Sequence, residues 1–460
     1  MDDFSTLALT PTLRQGIETL GYTRPTPIQA ESLPPILAGS DVIAQAPTGS
    51  GKTAAFGLGL LHKMDMAVSR TQALVLCPTR ELSDQVARQL RKLAIGIPNL
   101  KVLVLVGGTP LGPQLASLQA HDPHVVVGTP GRIQELLRKK VLHLGGVRTL
   151  VLDEADRMLD MGFEEPIREI VGKVPAGRQS LLFSATFTED IRALGRQWLR
   201  EPVEITSEGV QAPSGTRIEE RFLAVEPERK QGVLAGLLAE LQAASCVVFC
   251  NMRRDVDEVA GSLQHFGFTA LALHGDMEQR DRDEVLVRFV NGSCNVLVAS
   301  DVAARGLDID ELAVVVNYDV PSDPDIYVHR IGRTGRAGRG GEAWTLSTPR
   351  EMQRVAAIEA RNGSPVEWER RLPTMPRAGA ARAAAMTTLR IDAGKTDKLR
   401  PGDVLGALTG DAGLPASDIG KISIHATRSY VAVRRTVAKQ ALARLNAGKI
   451  KGRSFRVRPL

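Results

Sequence analysis

The stretch Ala46–Thr53 reads APTGSGKT. It follows a short apolar strand signal, Asp41–Gln45, and opens into a helix-compatible run, Ala54–Met64. Gly49 and Gly51 let the backbone turn tightly, so that several N–H groups point at one anion. A helix starting at Lys52 puts the positive end of its dipole on the same spot. Lys52 is spaced to reach the β- and γ-phosphates of a nucleotide, and Thr53 to place a hydroxyl on Mg²⁺. The whole run is therefore a candidate phosphate-binding loop: Ala46, Pro47, Thr48, Gly49, Ser50, Gly51, Lys52 and Thr53. Ala46 stands where the usual pattern opens with Gly.

The chain of 460 residues is long enough for two to four domains. Apolar content is ordinary and aromatics are scarce, which calls for aliphatic cores. No run of about 18 apolar residues marks a membrane span. Met1–Thr10 carries Asp2 and Asp3 and no basic residue before an apolar stretch, which argues against a secretory signal. Cys77, Cys246, Cys250 and Cys294 sit in or beside apolar strand-like runs, with no His or Cys pair to complete a zinc set. Buried free thiols in a reducing cytoplasm are the expectation.

From Asp41 to about Ile205, short apolar strands alternate with helical segments: Ala73–Leu76, Lys101–Val106, His124–Val127, Thr149–Leu152 and Ser180–Phe183. This α/β pattern predicts a parallel sheet with helices on both faces. A second set follows: Cys246–Phe249, Thr269–Leu273, Asn295–Ala299, Ala313–Val316 and Ala343–Leu346. Five segments result. Residues 1–205 form a nucleotide-binding lobe, 206–216 (rich in small and turn residues) a linker, and 217–371 a second lobe. Residues 372–386, made of Pro, Ala and Arg, form a flexible linker, and 387–460 a small α+β domain. Two lobes so joined can hold a ligand between them.

Asp153-Glu154-Ala155-Asp156 follows the strand signal Thr149–Leu152, at the carboxyl end where open α/β sheets bind ligands. Asp153 is placed to hold Mg²⁺, and Glu154 to orient and deprotonate an attacking water. From about Phe4 to Gly338 the motif set resembles the DEAD-box RNA helicase family. That resemblance implies two RecA-like lobes, ATP and Mg²⁺ as cofactors, and RNA as partner. It makes Gln29 an adenine reader, with Phe4 or Tyr22 stacking on the base. It makes Pro78, Thr79, Arg80, Gly108, Thr129 and Arg132 the first lobe's RNA contacts. Ser184-Ala185-Thr186 becomes the element coupling hydrolysis to strand separation. In the second lobe Gln279, Arg282, Ser300 and Asp301 would touch RNA and Asp308 the ribose. His329 and Arg330 would couple, and Arg333 and Arg336 would be arginine fingers, worth roughly 10³–10⁵ in rate. Lys52, Asp153, Glu154, Arg333 and Arg336 are then the catalytic set. ATP and single-stranded RNA would close the lobes, with backbone contacts indifferent to sequence.

Charge is uneven. The net is +6, yet Met386–Leu460 holds 15 Lys and Arg against 5 Asp, a net of +10, and the remainder is −4. A basic module of this kind favours a polyanion. Its order βαββαβ suits an RNA-recognition (RRM-like) fold. Arg428, Tyr430, Arg434, Arg435, Lys449, Lys451 and Arg453 are its candidate RNA contacts, although Tyr430 is the one aromatic that Arg428–Val433 offers for stacking. DEAD-box cores with a short basic RRM-like domain resemble a bacterial subgroup, which implies docking on 23S ribosomal RNA and a role in assembly of the large (50S) subunit. No membrane and no stable protein partner is implied. Two other readings use the same residues: an ATP-gated RNA clamp or chaperone with a different RNA target, and a DNA helicase with the same engine.

Overall fold

The computed structural model describes residues 3–46, 49–187, 189–206, 218–304, 312–335, 340–376, 381–411 and 413–460. Seven short strands build the first sheet: β1 (Val42–Gln45), β2 (Ala73–Leu76), β3 (Val102–Leu105), β4 (Val125–Gly128), β5 (Thr149–Asp153), β6 (Gln179–Ser184) and β7 (Val203–Thr206). They run parallel in the order β3-β4-β2-β5-β6-β1-β7. Alternate residues serve opposite cores. Ala73, Val75 and Val151 enter one apolar cluster, while Leu74, Leu76, Leu150 and Leu152 enter the other. Burial on both faces is why these strands read as continuous apolar runs.

A second unit holds the rest of the described chain. Its parallel sheet has the order β10-β11-β9-β12-β13-β8. The strands are β8 (Ile218–Ala224), β9 (Cys246–Cys250), β10 (Ala270–Leu273), β11 (Val296–Ser300), β12 (Val314–Asn317) and β13 (Gly341–Ser347). Two strands escape sequence reading, β7 and β8, and each lies at a sheet edge. An edge strand keeps polar residues toward solvent, and the pattern then resembles a loop. All four cysteines are buried free thiols.

The C-terminal sheet is antiparallel, ordered β15-β16-β14-β17, from β14 (Met386–Ile391), β15 (Ile419–Ile424), β16 (Ser429–Arg434) and β17 (Val457–Pro459). Leu389, Ile391, Val431 and Val433 face the helices Pro401–Gly406 and Ala438–Ala447, packing on Val404, Ala441 and Leu445. Alternation puts Thr388, Arg390, Tyr430 and Ala432 on the other face, and these too are buried. What covers them is the second lobe. Arg390 Nη1 lies 2.8 Å from Glu284 Oε1 on the helix Gln279–Val290, and Arg428 Nη1 lies 3.5 Å from the same oxygen. Asn291 Nδ2 donates to Thr388 Oγ1 at 3.2 Å, Ser293 Oγ bonds the same hydroxyl, and Met386 N donates to Gly292 O at 3.2 Å.

The described parts of 372–386 are not a free tether. Leu372 and Ala381 pack on the second lobe's core. The Thr374 carbonyl lies so close to Gly236 that a Cβ there would overlap it. Asn295 Nδ2 donates to Arg382 O at 2.8 Å, and Ala384 N to Thr269 Oγ1 at 3.4 Å. Small side chains let this strap lie flat, and the polar contacts hold its backbone. The C-terminal domain thus sits on the second lobe, where sequence composition suggests a flexible link.

Candidate functional site

Apart from the segment of Phe4, Tyr22 and Gln29, which precedes β1, every site segment of the first lobe leaves the carboxyl end of a strand. The phosphate loop follows β1 and turns on two left-handed glycines, Gly49 (φ 85°) and Gly51 (φ 98°). The helix Lys52–His62 begins directly after Gly51. Ala46 continues the strand, its N–H donating to Ser184 O at 3.0 Å, and its methyl is buried in the core. It needs no left-handed φ, so Ala is accommodated there. Lys52 is buried and its Nζ donates to Ala46 O at 2.9 Å, which holds a cation at the mouth of the loop. Ser50 Oγ is buried without a hydrogen-bond partner among the described residues. Pro47 and Thr48 lie outside the described residues.

Gln29 is engaged at both ends of its amide. Oε1 accepts from Thr26 N at 3.0 Å, and Nε2 donates to Gly51 O at 3.1 Å. A Cβ at Gly51 would overlap that amide, so Gln29 here braces the loop. Phe4 is buried in the first lobe's core, and half-buried Tyr22 accepts at its hydroxyl from Gln89 Nε2 at 2.6 Å.

Asp153 ends β5, and Glu154 caps the following helix in a left-handed conformation (φ 55°). A non-glycine residue held there is strained backbone of the kind that clusters at functional sites. Burial pushes the Asp153 carboxyl up to about 7, against the lowering pull of Lys52. Its Oδ1, like Glu154 Oε2, is buried without a hydrogen-bond partner among the described residues. Arg157 Nε stands 3.5 Å from Glu154 Oε2. Two desolvated carboxylate oxygens beside a cationic phosphate loop fit a nucleotide with a divalent cation.

The fourth residue of this motif, which sequence reading leaves without a role, ties the site together. Asp156 Oδ2 accepts from Ala185 N and Thr186 N, each at 3.1 Å, and from Thr186 Oγ1 at 3.2 Å. Gln45 Nε2 donates to Ala185 O at 3.2 Å. The segment Ser184–Thr186 therefore touches both the phosphate loop's strand and the acidic motif. The remaining motifs of this lobe also meet. Thr79 caps the helix Arg80–Leu93, Arg80 packs over Gly108, and Pro78 is buried beside them. Gly107 N donates to Thr129 Oγ1 at 3.4 Å, and Arg132 Nη2 to Thr109 O at 3.2 Å.

In the second unit Gln279 and Arg282 lie in the first turns of the helix Gln279–Val290, and Ser300 is buried at the end of β11. Asp301 is not free for RNA. It forms a two-bond pair with Arg330, with Nε to Oδ1 and Nη2 to Oδ2 both 2.7 Å. A carboxylate would in any case repel phosphate, and Arg330 answers its charge. Arg333 is buried and His329 half-buried. Asp308 and Arg336 lie outside the described residues. On the C-terminal domain, Arg434, Arg435, Lys449, Lys451 and Arg453 are exposed. Tyr430 is 4% exposed and Arg428 pairs with Glu284, so the expectation that these two dock RNA is corrected: the lobe occupies their face.

The chain matches the model of the DEAD/DEAH box helicase family over residues 26–194 and of the helicase conserved C-terminal domain over residues 229–338. Residues 388–459 match the DbpA RNA binding domain. The chain belongs to the DEAD/DEAH box helicase family, and by class it is a DEAD-box ATP-dependent RNA helicase. Over 463 residues, covering 100% of both chains, it is 52% identical to the ATP-dependent RNA helicase DbpA of Escherichia coli (strain K12). It is 45% identical over 361 residues to the DEAD-box ATP-dependent RNA helicase CshA of Bacillus cereus, which is 78% of this chain and 68% of that one. Among solved structures, S. cerevisiae Dbp5 bound to RNA and ADP BeF3 matches with TM-score 0.71 and 29% identity, covering 80% of this chain and 96% of that one. Mss116p bound to ssRNA and AMP-PNP matches with TM-score 0.70 and 26% identity, covering 79% of this chain and 78% of that one. Among the described residues, no helix is long and apolar enough to cross a membrane.

Proposed function

We propose that this chain is an RNA-stimulated ATPase that separates short RNA helices locally, and that its C-terminal domain docks it on 23S ribosomal RNA to assist large-subunit assembly in the cytoplasm. The observation that carries the engine is the Asp156 carboxylate, which binds the acidic motif to Ser184–Thr186 beside the phosphate loop. A change at the nucleotide phosphates is thereby felt at the segment expected to drive strand separation. The targeting rests on full-length similarity to a DbpA protein together with the net charge of +10 in Met386–Leu460.

Lys52 supplies charge to the phosphates from the helix N-terminus. Thr53 and Asp153 are the residues that would hold Mg²⁺, and bound there it would neutralise charge on the β- and γ-phosphates. Glu154 takes a proton from the attacking water, and Arg333 meets charge that grows on the γ-phosphate. RNA is held by its backbone through the first-lobe motifs, Gln279, Arg282 and Ser300, so these contacts do not choose a target. The choice belongs to the exposed basic residues of the C-terminal domain. Because that domain sits on the second lobe, it presents its RNA at a fixed place on that lobe.

Duplex release with ATP and with a non-hydrolysable analogue, on RNA and on single-stranded-DNA-tailed duplexes, tests the reading. Release of RNA duplexes in ATP, with RNA and not DNA stimulating hydrolysis, is the expected result. Persistent binding with no release in ATP would favour the clamp.

A further inference from the structure

Arg330 is the largest fully buried side chain among the described residues. All five of its N–H donors are used. Nε and one Nη2 hydrogen go to Asp301, and the other Nη2 hydrogen goes to Asn251 Oδ1 at 2.8 Å. Nη1 serves Asp319 O at 2.9 Å and Asn317 Oδ1 at 3.3 Å. The guanidinium also lies 5.2 Å from the Phe249 ring centroid. An arginine so saturated reaches nothing outside the lobe.

A second ion pair backs this first one, on residues that no motif includes. Lys230 is buried at the start of the helix Lys230–Leu241. Its Nζ stands 2.7 Å from Asp319 Oδ1, 3.5 Å from Glu351 Oε2 and 4.7 Å from the Tyr318 ring centroid. Asp319 Oδ2 accepts from Asn251 N at 3.0 Å. Lys230 thus fixes Asp319, Asp319 fixes Asn251, and both present oxygens to Arg330. Lys230, Arg330 and Glu351 are buried and Asp301 and Asp319 half-buried, with Asp301 and Asp319 just beyond the carboxyl ends of β11 and β12, the side where such sheets bind ligands. Buried charge is costly, and apolar packing would stabilise the lobe as well or better.

What the cluster does hold is one turn. Arg333 N donates to Arg330 O at 3.2 Å, Thr334 N to Ile331 O at 3.0 Å, and Thr334 Oγ1 to Leu312 O at 2.6 Å. Residues 330–334 are therefore pinned at one end by the Arg330 guanidinium and at the other by the Thr334 hydroxyl. Arg333 lies between the two pins.

We infer that Lys230 and Asp319 are positioning residues for ATP hydrolysis: through Asn251 and Arg330 they set where the turn bearing Arg333 stands. The inference rests on the reading of Arg333 as the arginine that meets the γ-phosphate. A displacement of an ångström at such a group is enough to cost about 10- to 100-fold in rate.

The test is a cycle of RNA-saturated ATPase rates on the full chain, with Lys230→Met, Lys230→Arg, Arg333→Ala and the double variant Lys230→Met/Arg333→Ala. Lys230→Met should lower kcat about 10-fold or more, with KM for ATP changed less than about 3-fold. Lys230→Arg, which keeps the charge, should recover most of the rate. The double variant should be no slower than Arg333→Ala alone, since a misplaced turn without its arginine has nothing more to lose. Asp319→Asn, which keeps the shape of the site, repeats the measurement should Lys230→Met fail to fold. A wild-type rate in Arg333→Ala would defeat the reading of Arg333 itself. A slow Arg333→Ala beside a wild-type Lys230→Met or Asp319→Asn, or losses that multiply in the double variant, would overturn the positioning role alone.

Discussion

Asp156 holds Thr186 twice, by its backbone N–H at 3.1 Å and by its hydroxyl at 3.2 Å, with one carboxylate oxygen serving both. Thr186→Ala removes the hydroxyl bond and leaves the backbone bonds to Thr186 and Ala185. Asp156→Ala removes all of them together with the Arg157 N–H bond to Oδ1, and leaves three backbone N–H groups without this acceptor. Thermal or urea unfolding should report about 1 kcal/mol lost for Thr186→Ala and about 3 for Asp156→Ala. Duplex release should fall more than ATP hydrolysis in both. Equal loss of the two activities would contradict a coupling role.

Glu154→Gln keeps size but loses the base. Hydrolysis should slow by roughly 10²–10⁴. RNA affinity in ATP should persist, because neither the phosphate loop nor the RNA motifs change. Filter binding with single-stranded RNA and ATP checks this. A matching fall in RNA affinity would assign Glu154 a structural role through its pairing with Arg157.

The Asp153 carboxyl gives a pH signature to the nucleotide-free protein. Its ordinary value is 3.8, and burial raises it to about 7. Between these values the native state keeps a proton that the unfolded chain has released. The stability it contributes is therefore full below the unfolded value and is lost as pH rises through about 7. Asp153→Asn cannot ionise. It should exceed the parent by roughly 4 kcal/mol near pH 8 and by less than half of that near pH 5, the advantage vanishing only below about pH 4. Urea midpoints without nucleotide or metal check it, and an advantage equal at both pH values would contradict the assignment.

Glu284 joins the C-terminal domain to the second lobe through Arg390 and Arg428. Glu284→Ala leaves the buried Arg390 with Asp392 as its remaining acidic partner. The strap should then loosen. Trypsin cleavage after Arg382, whose carbonyl is held by Asn295, should quicken by about 10-fold if docking weakens by about 1.4 kcal/mol. Unchanged cleavage would mean that the bonds of Thr388 to Asn291 and Ser293 and of Met386 N to Gly292 O hold the interface without Glu284.

Apart from the edge strands β7 and β8, the strands, the three sheets and the motifs are legible in the sequence because both-face burial writes continuous apolar runs and motif residues lie close in the chain. What stays hidden is long-range. Asp301 and Arg330 are read separately as an RNA contact and a coupling residue, yet they are one ion pair across 29 positions. No local pattern marks Glu284, which looks like a solvated helix charge until Arg390 meets it. The 372–386 segment has the composition of a linker, and its docking depends on Gly236, Asn295 and Thr269, far away in sequence. Tyr430 reads as a stacking platform because a strand pattern says which face a residue is on, and not what covers that face.

The most direct measurement is ATPase stimulation by a 23S ribosomal RNA fragment and by an unrelated RNA of equal length. It compares the full chain with a variant in which Arg434, Arg435, Lys449, Lys451 and Arg453 are neutralised. The full chain should reach half-maximal stimulation at a 23S RNA concentration at least about 10-fold lower than for the unrelated RNA. The variant should lose that preference and keep its kcat at saturating RNA. Its salt dependence should be flatter, by up to about one unit of slope for each phosphate that the neutralised side chains no longer bind. A variant that keeps the full preference would place target choice in the helicase lobes and contradict the role given to the C-terminal domain.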